Sequence, residues 1–355
     1  MKKIFKSIFL IMLIAVFMFS ITACSSKNSK SEASDKSPSG LPQVINFGIL
    51  RVPNDETIAK AEGIFNKYFK EKGIKCNFIV FDSGVDANKA LASGSIDFAT
   101  MGNINAVIAL AKGIDVQMIW IHEVLGEIEA LAVKNNLGIN KIEDLAGKKV
   151  ATPFASTAHY SLLNAVKDAG LENKVTLLDM RTPEIVAAWE RGDIVAAYTW
   201  QPSLSNLLKN GKMLLSSKDM AQKGYVTANV ELVREKFAEQ YPELVAGFIA
   251  CLSEAGNKYR ENPQNAAAIE AKELEISPEE ALAQMKGALW LKPEELLGKD
   301  YFGTSGAPGS FAEIMKDTGD FLKAQGSIDR APSQKEFNDY VNPTYIEKAV
   351  KMLGK

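Results

Sequence analysis

Two α/β lobes, each a mostly parallel sheet with helices on both faces and a ligand cleft between them, are what this sequence predicts. Three observations carry the prediction. Past Gln43, short β-rich runs alternate with amphipathic helical stretches, which implies parallel strands joined by helical crossovers. The alternation restarts near residue 149, and about 300 residues of globular chain suggest two bodies rather than one. Finally, residues 90–99 and 188–197 echo one another: each is a helix end, a glycine (Gly94, Gly192) suited to positive φ, a short turn and an apolar strand.

The elements follow in order. Strands are expected over 44–50, 76–81, 96–100 and 116–121, with helices over 57–69, 85–92 and 105–111 between them. In the second unit, strands are expected over 149–151, 175–178 and 194–199, with helices over 157–169 and 183–191. A strand over 225–233 returns from the second lobe. Helices over 237–259, 263–274, 278–287 and 311–326 follow, with prolines at their starts. The expected division is 43–126 plus 234–355 for lobe I and 127–233, with the hinge strands, for lobe II.

What precedes the body is an address. Lys2, Lys3 and Lys6 lead an unbroken apolar run from Ile8 to Phe19, and Ile21-Thr22-Ala23-Cys24 follows. A basic start, a short apolar core and small residues before a cysteine form a lipoprotein signal over 1–23, with Cys24 as the acylated first residue. An ordinary secretory cut or an uncleaved anchor is the alternative. Residues 24–42, rich in serine and nearly free of apolar side chains, read as a tether. The body is then lipid-anchored outside the cytoplasm. Removing 1–23 takes three lysines and no acid, leaving a mildly acidic chain.

Composition excludes several classes. A chain that is 46% hydrophobic with a net charge of −2 is neither disordered nor a nucleic-acid binder, and three cysteines make no disulfide scaffold. His122-Glu123 lacks a second histidine four residues on, so there is no zincin pair and no metal is expected. No glycine-rich phosphate loop or Gly-x-Ser-x-Gly elbow is present. Cys76 and Cys251 sit in apolar stretches as core residues, with a disulfide between them left open. Binding without a cofactor is favoured over catalysis. An extracellular enzyme and an adhesive lipoprotein are the competing classes.

Candidate contacts sit where helices begin. Ser156 is a natural N-cap, and the free N–H groups after it, with the hydroxyls of Ser156 and Thr157, suit an anion; a capped helix with no ligand is the commoner arrangement. Asp82-Ser83-Gly84 and Gly102-Asn103-Ile104-Asn105 open helices in the first lobe, so three helix starts would face one cleft at the strand ends. Trp200 offers an indole face to a cation, or is a domain-edge aromatic. Glu127 and Glu129 alternate onto one face, where one could meet an ammonium or both could be surface charges.

Phe81-Asp82-Ser83-Gly84, Ala90-Leu91-Ala92-Ser93-Gly94, Glu129-Ala130-Leu131, the run from Ser156-Thr157-Ala158-His159-Tyr160 to Leu163, and the run from Ala187 to Ile194 appear in that order. Together they resemble the taurine-binding members of the nitrate/sulfonate/taurine class of ABC-importer substrate-binding proteins. The resemblance implies a type II periplasmic-binding-protein fold closing on a solute, delivery to separate permease subunits, no enzymatic activity, and a monomer. It implies a small anionic or zwitterionic solute held by Arg51, Asp82, Ser83, Asn103, Glu129, Ser156, Thr157, His159, Tyr160 and Trp200. A sulfonate would take the helix-start donors and Arg51. An ammonium would take Glu129, with Trp200 and Asp82 near it. The loops at 50–55 and 102–105 depart from the family's usual residues and should line the cleft. Alkanesulfonates, aminophosphonates, nitrate and pyrimidine precursors are the neighbouring specificities.

Overall fold

The computed structural model describes residues 40–354, and the compact body begins at Leu41. The expected signal and Cys24 lie outside the described residues. The body is built on two five-stranded sheets.

The first sheet contains β1 (Val44–Leu50), β2 (Lys75–Phe81), β3 (Phe98–Gly102), β4 (Val116–Val124) and β10 (Ala228–Arg234), in the order β2-β1-β3-β10-β4. The second contains β5 (Glu129–Lys134), β6 (Lys149–Thr152), β7 (Thr176–Asp179), β8 (Ala196–Trp200) and β9 (Gly211–Ser216), in the order β7-β6-β8-β5-β9. The two orders are the same plan. Three parallel strands occupy one side, and β10 or β5 runs antiparallel between the third of them and the far edge strand. The internal echo is real in three dimensions: Gly94 and Gly192 both end helices with positive φ, 72° and 86°, just before β3 and β8. The chain passes from one sheet to the other between β4 and β5 and returns between β9 and β10.

The strands follow from their residues. β3 is buried along its whole length and β8 along all but its last residue, as expected of strands covered on both faces. Around Phe47 of β1, the rings of Phe65, Phe78, Phe98 and Phe248 pack with centroids 5.1–5.4 Å away. Each such pair adds roughly 0.5–1.5 kcal/mol to the area it buries. The C-terminal helices pack on this first sheet, led by Pro242–Glu261, whose Phe248 joins the cluster. The second lobe holds smaller apolar clusters centred on Leu131, Val150 and Tyr198 on one face and Ile185 and Trp189 on the other.

Several expected elements are broken or longer. The helix expected over 57–69 is two, Asp55–Ala61 and Ile64–Tyr68, because Gly63 takes a φ of 67° between them. The helix expected over 237–259 divides at Tyr241, where Pro242 starts a new helix. Strand β9 and the final helices Gln334–Tyr340 and Thr344–Met352 were not foreseen. Cys76 and Cys251 are both free thiols. No helix among the described residues is long and apolar enough to cross a membrane.

Candidate functional site

A cavity of about 250 Å³ lies where the two sheets face each other. It is slightly smaller than the roughly 300–1,000 Å³ of drug-sized sites, which suits a small solute. Its walls come from the carboxyl ends of the parallel strands of both sheets. From the first lobe these are Leu50–Pro53 after β1, Asp82–Val85 after β2, and Gly102 with Asn105 after β3. From the second they are residues 153–157 after β6, Thr182 and Pro183 beyond β7, and residues 200–203 at the end of β8. Glu129, at the first residue of β5, faces it from the crossing between the sheets.

The second lobe's helix Thr157–Asp168 points its start at this cavity. The Ser156 Oγ accepts from the His159 N–H at 3.1 Å and donates to the Pro153 carbonyl at 2.5 Å. The Thr157 hydroxyl donates to Glu129. Both hydroxyls therefore hold the protein together, and what the helix start offers a ligand is the backbone N–H of its first turn, which has no helical acceptor. Ala155, in the turn before it, takes a φ of 56°, a conformation uncommon for a residue with a side chain. Its carbonyl accepts from the Asn105 amide of the first lobe at 2.8 Å.

Glu129 is fully buried. Besides Thr157 it accepts from Ser217 at 2.6 Å and Thr227 at 3.4 Å, so hydroxyls from three chain segments converge on one carboxylate. Burial pushes its carboxyl up to about 7, against the lowering effect of those hydroxyls. Glu127 is exposed and pairs with Lys218 at 3.3 Å, a surface contact of little energetic weight.

The lobes touch closely beside this carboxylate. A Cβ added to Gly102 of the first lobe would stand 2.7 Å from the Thr157 methyl of the second, close to the Asn105–Ala155 hydrogen bond that joins the same two lobes. At the rim, the Arg181 guanidinium reaches Asp86 at 3.5 Å. These contacts describe a closed cleft.

Of the residues expected to contact the solute, Arg51, Asp82, Ser83, Glu129, Ser156, Thr157 and Trp200 line the cavity. Asn103, His159 and Tyr160 do not. Asn103 is buried and clamps the segment before β10, accepting from the Ala228 N–H at 3.2 Å and donating to the Val226 carbonyl at 3.4 Å. His159 stacks on Phe154 at 4.2 Å, and burial lowers its pKa to about 4, so it is a neutral platform behind the wall. Tyr160 points into the first lobe's core, edge-on to Phe321 at 5.2 Å. A helical turn carries successive residues to different faces, so the run 156–160 cannot all reach one cavity. Sequence reasoning missed Phe154, Gln201 and Asn229 as lining residues, whereas Asn105 lines the cavity as expected of the loop at 102–105. Asn229 and Gln201 carried no local signal.

Comparison with known proteins decides the family. A family model described as the substrate binding domain of an ABC-type glycine betaine transport system matches residues 51–284. The taurine-binding periplasmic protein of Escherichia coli (strain K12) is 34% identical over 296 residues, covering 81% of this chain and 89% of that protein. This chain belongs to the substrate-binding proteins of ABC transporters.

Within that family, solved structures share the fold. The periplasmic aliphatic sulphonate binding protein of Escherichia coli superposes with a TM-score of 0.70 at 22% identity, covering 83% of this chain and 92% of that one. The alkanesulfonate-binding protein of Xanthomonas axonopodis pv. citri, bound to MOPS, gives 0.68 at 20% identity, with 82% and 96% covered. The architecture is that of a type II periplasmic binding protein with two α/β lobes. As a substrate-binding protein it captures a solute outside the cytoplasm and is not an enzyme.

Proposed function

We propose that this substrate-binding protein captures taurine or a closely related aliphatic sulfonate and delivers it to an ABC importer permease, held at the membrane by a lipid on Cys24. The observation that supports the solute class most directly is the pairing of two kinds of group in one small cavity. They are a helix start with free N–H groups and Arg51, and the carboxylates of Asp82 and Glu129, Glu129 standing next to the helix start and paired across the sheet with Trp200. A sulfonate needs several oriented donors and gains from a cation, while an ammonium gains from a carboxylate and an indole face. The identity to a taurine-binding protein agrees with a zwitterion.

In this reading the sulfonate sits at the N–H groups of Thr157 and Ala158 and at the turn around Ser83, with Arg51 closing over it. The ammonium lies between Glu129 and Asp82. Contacts to both lobes stabilise the closed state over the open one, since a ligand shifts such an equilibrium only by its differential affinity. Isothermal titration with taurine, an alkanesulfonate, an aminophosphonate, nitrate and a pyrimidine precursor tests the solute. Taurine binding at least tenfold tighter than the alkanesulfonate supports the proposal. Equal binding of the two, unaffected by Glu129→Gln and Asp82→Asn, overturns the ammonium site.

A further inference from the structure

The first lobe buries a set of ionisable side chains that the cavity does not use. Asp55 and Glu56, in the first turn of the Asp55–Ala61 helix, are at most 3% exposed. They meet Thr100 on β3 and Trp120 and His122 on β4, and Thr100 and His122 in turn bond Glu231 on β10. His122 Nδ1 lies 2.5 Å from Asp55, whose second oxygen accepts from the Trp120 indole at 2.8 Å. That fixes the imidazole with Nε2 turned the other way, toward Glu231 Oε2 at 2.9 Å and Thr100 Oγ1 at 3.3 Å. The same Thr100 oxygen is 2.9 Å from Glu231 Oε2 and 2.5 Å from Glu56 Oε2.

We propose that Glu56, His122 and Glu231, with the Thr100 hydroxyl at the fourth corner, form a structural zinc site that anchors the Asp55–Ala61 helix to the first sheet. Three observations carry it. Ligand atoms of Glu56, His122 and Glu231 all lie within 4.8 Å of one another. With Thr100 Oγ1 they make a four-cornered set whose hydrogen-bonded edges are 2.5–3.3 Å. Ligands about 2.0–2.1 Å from a tetrahedral zinc stand about 3.3 Å apart, so seating the ion in place of the shared protons lengthens the hydrogen-bonded edges by up to about 0.8 Å and draws in the remaining ones. Next, the hydrogen bonds do not close with all three carboxylates ionised: the set needs either one more proton or a cation. Thr100 has one proton for two carboxylates, and Glu56 Oε1 and Glu231 Oε1 are buried with no partner. Three carboxylates here meet one imidazole. Last, a carboxylate on the far nitrogen of a metal-binding histidine is the usual support that sets its tautomer, and Asp55 occupies that position. A nitrogen donor and a four-atom set favour zinc over magnesium or calcium, which take more oxygens.

The site would matter for binding because the chain enters this helix directly from Leu50–Pro53, one wall of the cavity. Since the ligands are sealed in the lobe, the ion must enter during folding. The test is therefore made on the mature protein unfolded with chelator and refolded with or without zinc. Metal content by mass spectrometry should be about one zinc per chain after refolding with zinc, with a raised Tm. Cobalt(II) in its place should give the visible absorption of four-coordinate cobalt. Glu56→Gln should lower zinc content at least tenfold, while His159→Gln should keep it. If Glu56→Gln does not fold, the wild-type stoichiometry and cobalt spectrum still decide. Less than about one zinc per ten chains after zinc refolding, with a Tm equal to that of chelator-refolded protein, overturns the site and leaves the cluster held by protons alone.

Discussion

The two lobes repeat one strand order and fill it differently. Behind the first sheet stand the aromatic cluster around Phe47, a long set of C-terminal helices, and a sealed group of acidic side chains about His122. Behind the second stand two modest apolar clusters, with Trp189 buried and its indole N–H donated to Asn210 at 2.6 Å. The same topology thus tolerates either a heavily reinforced interior or a lean one. What the two lobes hold in common is the strand order, and with it the strand ends that form the cavity. The fold sets where the cavity lies; the fillings set how firmly each wall is held.

The largest expected effect tests that difference in reinforcement. Trp189→Ala should cost about 3–5 kcal/mol, as should Phe47→Ala, because each deletes a buried aromatic. Calorimetry should separate them: the lean second lobe should unfold early in Trp189→Ala as a distinct transition, whereas Phe47→Ala should lower the main one. A single unshifted transition for Trp189→Ala would remove the second lobe's dependence on its apolar core.

The next effects concern the contact between lobes. Gly102→Ala places a Cβ against the Thr157 methyl and should hold the cleft ajar. Solute affinity should fall tenfold or more, about 1.4 kcal/mol, with little change in Tm. Titration calorimetry showing wild-type affinity would mean that closure does not require this approach.

Glu129 gives a pH test. Its carboxyl is raised from 4.5 to about 7 by burial, with Tyr198 and the hydroxyls of Thr157, Ser217 and Thr227 around it. The folded state therefore holds this proton more tightly than the unfolded chain does. Its contribution to stability is complete below pH 4.5 and is lost as pH rises through 7, a change on the order of 3 kcal/mol. Thermal melts between pH 4.5 and 8 should show that decline in wild type and a shallower one in Glu129→Gln. An ammonium-bearing solute favours the ionised carboxylate, so its affinity should increase over pH 6–8. A pH-independent affinity would place the ammonium elsewhere. The smallest effect is at the rim: Arg181→Ala should change stability by less than about 1 kcal/mol, since both partners of that pair are well exposed.

Much of this plan was legible in the residues, and the reasons it stops are physical. Strand and helix alternation marked the five strands of the first sheet and the three parallel strands of the second because period and turn chemistry are local, and Gly94 and Gly192 announced the repeat. β9 was missed because Gly211-Lys212-Met213 sits on an edge with half its side chains outward and carries little apolar signal. At the site, Ser156 was recognisable as a helix cap. That its hydroxyl would be spent on Pro153, and that of Thr157 on Glu129, depends on neighbours folded in from elsewhere. Glu129 stood out as a carboxylate beside an apolar strand, yet its partners Ser217 and Thr227 are 88 and 98 residues away. His122-Glu123 was set aside for want of a nearby second histidine, whereas its real companions are Asp55 and Glu231.

The double crossing between the sheets has a consequence for the order of assembly. All five strands of the second sheet come from one uninterrupted stretch, Glu129 to Ser216, so that sheet can complete itself as soon as this stretch is available. The first sheet cannot. Its strand β10 is inserted between β3 and β4 and arrives only after the whole second sheet has been made. During vectorial emergence of the chain, the earlier-made sheet is therefore left with an open seam, and the later-made one is finished first, reversing the usual N-terminal-first order.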